Sequence, residues 1–112
     1  MYAARGAIYS QLGKYQHAIK DFDKFVEYEP NEAAGYGARG SVYADIGNYQ
    51  QATKDFSKAI ELKPNDALAY FSRGHTYAKL GKHQEAINDF KIAARLGNKF
   101  AQDMLLKVGE QW

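Results

Sequence analysis

The sequence predicts an all-α fold of three stacked helical hairpins followed by one capping helix. The main observation is a motif that occurs three times, 34 residues apart, and reads Tyr36-x-x-Arg39-Gly40-x-x-Tyr43 in its central copy. Each copy is followed by Gly, Gln, Ala, Asp and Phe at fixed positions, so nine positions are identical in all three units. A period of this length is typical of stacked helix-turn-helix units. The other two copies are Tyr2-x-x-Arg5-Gly6-x-x-Tyr9 and Tyr70-x-x-Arg73-Gly74-x-x-Tyr77.

Within each unit, apolar and small residues at helical spacing predict two helices. In the second unit, Tyr36 and Tyr43 lie on one stripe of the first helix, and Phe56 belongs to the stripe of the second. Gly47 separates the two helices because glycine readily takes the left-handed conformation that ends a helix. Pro64 ends the second helix because proline disfavours the helical conformation in the preceding residue. Over the whole chain the predicted helices are 2–12, 15–28, 33–46, 49–62, 67–80, 83–96 and 99–108.

The third unit ends differently, because Asn98 stands where the second unit has proline. Phe100, Met104 and Val108 then recur at i, i+4 and i+8, which predicts a seventh, amphipathic helix. We expect its apolar side to cover the face that the third hairpin would otherwise expose, as a terminal cap does. The predicted units are 1–32, 33–66 and 67–98, with the capping helix and tail at 99–112, in one domain overall. Met1 falls directly into the repeat, so the first unit is expected to be N-terminally truncated, as in a fragment of a longer chain.

These units resemble the tetratricopeptide repeat (TPR) family, whose motif is aromatic-x2-Leu-Gly-x2-Tyr, then Ala-x3-Phe, then Pro. The resemblance covers about residues 1–98. Tyrosine replaces the usual tryptophan, and an arginine (Arg5, Arg39 and Arg73) replaces an apolar residue before the glycine. The resemblance implies a right-handed superhelix whose first helices line a concave groove. It also implies a protein-interaction role without chemistry of its own.

The arginine in each motif is matched by an aspartate 16 residues later, one on each helix of a hairpin. We expect a repeated charge-assisted hydrogen bond, because a partly buried arginine needs a partner and the aspartate recurs in step with it. The alternative is a ladder of arginines that binds an acidic ligand. The structural interpretation is favoured for all three pairs, which are Arg5 with Asp21, Arg39 with Asp55, and Arg73 with Asp89.

The resemblance also implies which residues line the groove, and most of them are small and uncharged. Members of the family that hold the C-terminal carboxylates of chaperone tails need Lys, Asn and Arg at positions that here hold Ala3, Ala7, Ala38, Leu68 and Ser72. The chain is therefore predicted to lack a carboxylate clamp. A smooth groove with one aromatic side chain better suits the apolar face of a helix or an extended segment. The predicted partner-binding residues are Ala7, Gln11, Gly37, Ala38, Ser41, Asp45, Phe71, Ser72, His75 and Lys79.

Composition and motifs argue against several other classes of function. The net charge of +2 comes from 15 basic and 13 acidic residues spread through the chain, so no nucleic-acid partner is predicted. His17, His75 and His83 share no zinc-ligand spacing, and His83 is expected to pack in the place of a tyrosine. There are no cysteines, no phosphate-binding glycine loop and no apolar stretch of membrane-spanning length. We therefore predict no enzyme activity, cofactor, metal or membrane insertion, and leave the compartment open with the cytoplasm as the default expectation.

Two rival functions remain open beside the binding of a protein or peptide in the groove. The first is self-association into a homo-oligomer, because Tyr2, Ile8, Phe25 and Tyr28 are expected to form an apolar patch on the first hairpin. The second is an accessory role within a larger protein.

The third helix is expected to be the softest part of the groove. Gly35, Gly37 and Gly40 all lie in it. Each interior glycine costs about 1 kcal/mol of helix stability relative to alanine.

Overall fold

The computed structural model describes all 112 residues and contains seven α-helices and no strands. Each helix packs against the helix before it and the helix after it, which gives an elongated stack of about 43 × 24 × 20 Å. The all-α prediction with seven helices is confirmed, and the predicted helices differ from the observed ones by at most one residue at their ends. The helices are α1 (Tyr2–Gln11), α2 (Tyr15–Tyr28), α3 (Ala33–Asp45), α4 (Tyr49–Leu62), α5 (Ala67–Lys79), α6 (His83–Arg95) and α7 (Lys99–Lys107).

The first helix of every hairpin ends in the same turn. After α3, Gly47 has φ +83° and the amide of Asn48 donates to the carbonyl of Tyr43 at 2.8 Å. This bond is the long-range bond of a Schellman motif, which needs a left-handed residue that glycine provides without strain. Helix α6 ends the same way at Gly97, since Asn98 has replaced the proline that follows α2 and α4. The side chain of Asn98 then caps α7 by accepting from the amide of Ala101 at 2.9 Å.

The two helices of each hairpin touch through a phenylalanine ring that lies on a glycine. A Cβ atom placed on Gly40 would lie 3.0 Å from the ring of Phe56, and the equivalent glycines of the other two hairpins are similarly close to their phenylalanines. Phe56 and the neighbouring Ala52 are buried. The absence of a side chain at this glycine therefore lets the two helices approach until the ring fills the space between them. The equivalent pairs are Gly6 with Phe22 and Gly74 with Phe90.

The capping helix buries a different side from the one that the sequence predicts. Ala101 and Leu105 are buried, at 0% and 1% exposure, in a cluster with residues of α6. Phe100 and Val108, which the sequence pattern places against the third hairpin, are 71% and 65% exposed. The prediction of the covering side was wrong, because the apolar residues of α7 occupy two adjacent faces. The face that carries the small Ala101 can come close to the alanines at the end of α6, and Leu105 completes this contact.

The apolar patch predicted on the first hairpin also needs correction. Phe25 is half-buried and packs between hairpins, because a Cβ atom on Gly35 of α3 would lie 2.5 Å from its ring. Tyr28 is 63% exposed and stacks on Tyr2 with ring centroids 5.9 Å apart. Ile8 is 56% exposed. Phe25 therefore does not belong to an exposed patch, whereas Ile8 and Tyr28 do lie on the surface.

The tyrosines contribute to the core with only part of their side chains. Eight of the nine are half-buried and Tyr28 is exposed, so none is fully enclosed in the core. The buried side chains are mostly alanine and phenylalanine on the second helices, and the largest of the most deeply buried ones are Val42, Thr76 and Leu105. The tyrosines lie at the edge of this core, where the phenolic hydroxyl can remain in water.

Candidate functional site

Helices α3 and α5 form the walls of a shallow groove. Ser41 and Asp45 from α3 face Phe71 and His75 from α5 across a cavity of about 150 Å³. A second cavity of about 90 Å³ continues the first along the same helices, with residues of α3 on one wall and of α5 on the other. Ser41, Ser72 and the ring of Phe56 line both cavities, so the two are parts of one depression, which we call the α3–α5 groove.

Six of the ten predicted groove residues line this depression, namely Gly37, Ser41, Asp45, Phe71, Ser72 and His75. The other four do not. Ala38 packs against the buried cluster around Val42 instead. Ala7, Gln11 and Lys79 are exposed and line no cavity of this groove.

An apolar cavity of about 200 Å³ lies at the equivalent place one hairpin later. Ala78 and Phe90 stand in its lining where Ala44 and Phe56 stand in the α3–α5 groove. We call this cavity the apolar end. Its remaining wall comes from α7, from the residue directly after α7 and from the first half of α6, through Met104, Leu105, Val108, Ile87, Ala86 and His83.

Phe71 lines the groove and packs beside Phe90 of the apolar end. Its ring lines the α3–α5 groove, and its centroid lies 5.6 Å from that of Phe90 and 6.1 Å from that of Phe100. Sequence reasoning missed Met104 and Val108 as cavity residues because it assigned their stripe to the buried contact. The signal was present in the spacing, since α7 carries more apolar residues than one packing face can bury.

Each motif arginine forms a two-pronged bridge to its aspartate. Arg39 donates from Nε and Nη2 to the two carboxylate oxygens of Asp55 at 2.9 and 2.8 Å. Its guanidinium carbon lies 5.7 Å from the centroid of the Tyr36 ring, within the range of a cation–π contact. The same geometry recurs where Arg5 donates to Asp21 and where Arg73 donates to Asp89.

The aspartates of the bridges lie inside the hairpins and not on a binding surface. Asp21, Asp55 and Asp89 are only 4%, 6% and 3% exposed. Asp89 accepts both of its hydrogen bonds from Arg73, each at 2.8 Å, and the other two aspartates are paired in the same way. These carboxylates are therefore structural members of the stack, and a partner protein cannot reach them.

The second and third bridges also join adjacent hairpins. Arg39 Nη1 donates to Asp23 of α2 at 3.0 Å, and Arg73 Nη1 donates to Ser57 of α4 at 3.2 Å. Their side chains are 19% and 20% exposed, whereas that of Arg5, which has no such third partner, is 52% exposed. The second and third arginines therefore have their donors committed inside the stack, and none of the three lines the α3–α5 groove.

Side chains in and near the bridges have shifted pKa values. The hydrogen bond from Arg5 holds the pKa of the Asp21 carboxyl below its usual value, although burial opposes this effect. The hydrogen bond to Asp55 raises the pKa of Arg39. Burial raises the pKa of the Tyr43 hydroxyl. None of these groups is placed like a catalytic acid or base, since each is engaged in packing or in an ion pair.

The histidines do not come together. His17 is exposed beside Tyr9, with ring centroids 5.0 Å apart, and His75 lines the α3–α5 groove. His83 is exposed at the apolar end, whereas the tyrosines at its equivalent positions are half-buried, so it does not pack as they do. No group of three or more potential ligand side chains could hold a metal ion, and none of the seven helices has the length and apolar character of a membrane span.

Comparison with family models identifies the repeats. A model described as tetratricopeptide repeat matches residues 2–32 and 67–100, and a related TPR repeat model matches residues 40–81. The chain belongs to the tetratricopeptide repeat family. No curated protein sequence matches it.

Several solved structures resemble most of the chain. The first TPR of Spaghetti (RPAP3), bound to the HSP90 peptide SRMEEVD, is 27% identical with a TM-score of 0.90 over 96% of this chain and 87% of that one. The second TPR domain of human RPAP3, in complex with the HSP70 peptide SGPTIEEVD, is 31% identical with a TM-score of 0.89 over 98% and 93%. MamA is 28% identical with a TM-score of 0.83, and the match covers 86% of this chain but 56% of MamA.

Proposed function

We propose that this TPR domain binds a peptide or helix of a partner protein in the α3–α5 groove and its apolar end, without chemistry of its own. The observation that carries the proposal is the equivalent placement of the two cavities in adjacent hairpins, with Phe71 of the first packed beside Phe90 of the second. Small and polar side chains line the groove together with Phe56, Leu68 and Phe71, and apolar side chains line the apolar end. TPR domains of similar structure hold peptides of HSP90 and HSP70, which supports a peptide partner here.

The lining favours a partner that places at least one apolar side chain at the apolar end. Seven of the eight residues around that cavity are hydrophobic, and Met104 and Val108 remain 37% and 65% exposed without a partner. Covering such side chains contributes about 25 cal/mol for each Å² of apolar surface removed from water. In the α3–α5 groove, the hydroxyls of Ser41 and Ser72 are available to the polar backbone of the same segment.

The partner is not expected to be held by a terminal carboxylate. The HSP90 and HSP70 peptides in the similar structures end in the acidic sequence EEVD. At the positions where the family places its carboxylate-binding side chains, this chain has only small or apolar side chains and one serine. The titratable side chains that line the α3–α5 groove are the acidic Asp45 and Asp66 together with His75, and neither a lysine nor an arginine joins them. An acidic tail would therefore find no cationic clamp here.

A peptide-display selection against the immobilised protein tests the proposal. We expect the selected linear peptides to carry an apolar residue and to bind the free protein in a fluorescence anisotropy titration. Met104→Glu, which places a charge in the apolar end, should weaken binding about tenfold or more. Leu106→Glu is the matched control, because Leu106 lies on the same helix, is 65% exposed and lines neither part of the groove.

The comparison of Met104→Glu with Leu106→Glu tests where the peptides bind. Equal affinity of the two variants for a peptide would show that it does not bind at the apolar end. Selection dominated by peptides ending in acidic residues, with affinity lost on amidation of the terminus, would contradict the absence of a carboxylate clamp.

A further inference from the structure

The α3–α5 groove contains an aspartate that forms no ion pair within the protein. Asp45 is exposed in the wall of the cavity of about 150 Å³. None of the ion pairs of the protein includes it, although His75 lines the same cavity. The other acidic residue of the groove, Asp66, caps α5 by accepting from the amide of Leu68 at 3.1 Å. Asp45 is therefore the carboxylate of this groove that is available to a ligand.

Asp45 also lies where an α-helix disfavours a negative charge. It is the last residue of α3, at the negative end of the helix macrodipole. The equivalent residue of the first hairpin is the uncharged Gln11, and that of the third is Lys79, whose positive charge suits this end of a helix. An aspartate at this position opposes the dipole and forms no ion pair that compensates. Such departures from a local rule are typical of functional positions.

The rest of the cavity suits the amine or guanidinium of a basic side chain. Ser41 lies one turn before Asp45 on the same side of α3, and Ser72 brings a second hydroxyl from α5. Both hydroxyls can accept hydrogen bonds from N–H groups that the carboxylate leaves free. The ring of Phe71 forms another part of the wall, and aromatic rings attract a cation placed over their face. No lysine or arginine of the protein lines the cavity, so a basic side chain would meet no competing partner there.

We propose that the partner segment carries a lysine or arginine that enters the α3–α5 groove and pairs with Asp45, beside the apolar side chain that occupies the apolar end. This inference rests on the proposed function, since it takes a segment of a partner protein as the occupant of this surface. The two sites adjoin through Phe71, whose ring centroid lies 5.6 Å from that of Phe90 in the apolar end. The apolar contact supplies most of the affinity, and the charge pair favours basic over acidic segments and fixes their position in the groove.

The probe is the tightest-binding linear peptide from the display selection, with its basic residues neutralised one at a time in fluorescence anisotropy titrations. Each lysine is replaced by norleucine and each arginine by citrulline, so that the charge is lost and the length of the side chain is kept. We expect one replacement to weaken binding to the unchanged protein about fivefold or more. The same replacement should change the affinity for Asp45→Asn by less than about twofold, because this variant has already lost the partner of that charge.

Two further variants separate the pair from the overall charge of the protein. Asp103→Asn is the matched control, because Asp103 is exposed on α7, lines neither part of the binding surface, and loses the same charge. It should bind every peptide like the unchanged protein. Asp45→Lys should bind the peptide more tightly once the identified basic residue is replaced by glutamate. The urea midpoint of Asp45→Asn should be at least that of the unchanged protein, because the charge that opposes the helix dipole is gone.

The outcomes distinguish this inference from the proposed function. If no peptide distinguishes Met104→Glu from Leu106→Glu, the proposed function itself is wrong. If peptides do distinguish those variants but bind Asp45→Asn as tightly as Asp103→Asn, only the inference about Asp45 is overturned. It is also overturned if Asp45→Asn unfolds at a lower urea concentration, since Asp45 would then support the fold. Sedimentation that shows a dimer dissociated by Asp45→Asn would overturn it as well, because a second copy would then occupy the groove.

Discussion

Two regions of the stack differ in how far their residues repeat between hairpins. The bridge side carries the arginine–aspartate pairs and the tyrosines beside the arginines, and the groove side carries the α3–α5 groove and the apolar end. In the bridges the three hairpins carry the same arginine and the same aspartate, and Asp21, Asp55 and Asp89 are all buried and each receive two hydrogen bonds. In the α3–α5 groove the equivalent positions differ from one hairpin to the next, and their side chains are exposed or half-buried. The identical residues thus build the hairpin, whereas the residues proposed to contact a partner vary. Ser41 and His75 occupy equivalent positions of two hairpins, both line the α3–α5 groove, and they differ.

The largest expected effect lies on the bridge side. Asp55→Ala leaves the guanidinium of Arg39 in a mostly buried place without its two-pronged partner. Removing one member of a buried ion pair costs about 3–5 kcal/mol, so the urea midpoint should fall steeply. A loss of less than about 0.5 kcal/mol would show that the bridge does not hold the hairpin.

The first bridge offers a comparison within the bridge side. Asp21→Ala should cost clearly less stability than Asp55→Ala, because Arg5 is half exposed and water can solvate its freed donors. If the two variants lost the same free energy of unfolding in urea titrations, the exposure of the arginine would not determine how much a bridge stabilises the fold.

Gly35 and Gly37 of α3 distinguish the effect of packing on stability from the effect of helix propensity. A Cβ atom on Gly35 would lie 2.5 Å from the ring of Phe25, so Gly35→Ala should cost about 1–3 kcal/mol through overpacking. A Cβ atom on Gly37 would meet nothing within 4 Å, so Gly37→Ala should stabilise the domain by about 0.5–1 kcal/mol. Thermal melts of the two variants should therefore shift in opposite directions. A shift in the same direction would contradict this assignment.

On the groove side, Ser41→Arg should affect binding and not stability. Ser41 is exposed at the centre of the α3–α5 groove, so the fold tolerates a long side chain there. The arginine would fill both connected cavities and weaken a groove-bound peptide about tenfold. Anisotropy titrations of this variant measure its affinity for the peptide, and urea titrations measure its stability. A variant that is destabilised but binds with unchanged affinity would show that Ser41 supports the fold and does not contact the peptide.

The smallest expected effect is a dependence of stability on pH at the first bridge. Because the folded pKa of Asp21 lies below its unfolded value, its contribution is present above that unfolded value of about 3.9 and is lost as the pH falls through the folded pKa. Urea titrations between neutral and strongly acidic pH should therefore show a loss of stability in acid that is reduced in Asp21→Asn. If both proteins lost the same stability in acid, the Asp21 carboxylate would not be a source of the pH dependence.

The fold could be predicted from the sequence because its determinants are local and repeated. The 34-residue period, Gly47 and Pro64 fix the helices to within one residue, and the spacing of Arg39 and Asp55 pointed to their bridge. The side of α7 that packs could not be predicted, because its small and its large apolar residues compete for the same contact and packing distance decides between them. Periodicity alone does not report that distance.

The same limit applies to the surfaces. The exposure of Ile8 on the first hairpin agrees with the sequence-based expectation, whereas the burial of Phe25 against Gly35 depends on how two hairpins pack, which the repeated motif does not reveal. Likewise, the apolar end is assembled from residues of α5, α6 and α7 that no single motif connects.

The most direct test of the groove is to observe contacts between a selected peptide and the protein by intermolecular NOEs. We expect NOEs from the peptide to Phe71, Met104 and Val108, with none to the rings of Tyr36 and Tyr70 on the bridge side. NOEs to those two tyrosines, with none to the side chains of the apolar end, would contradict this expectation.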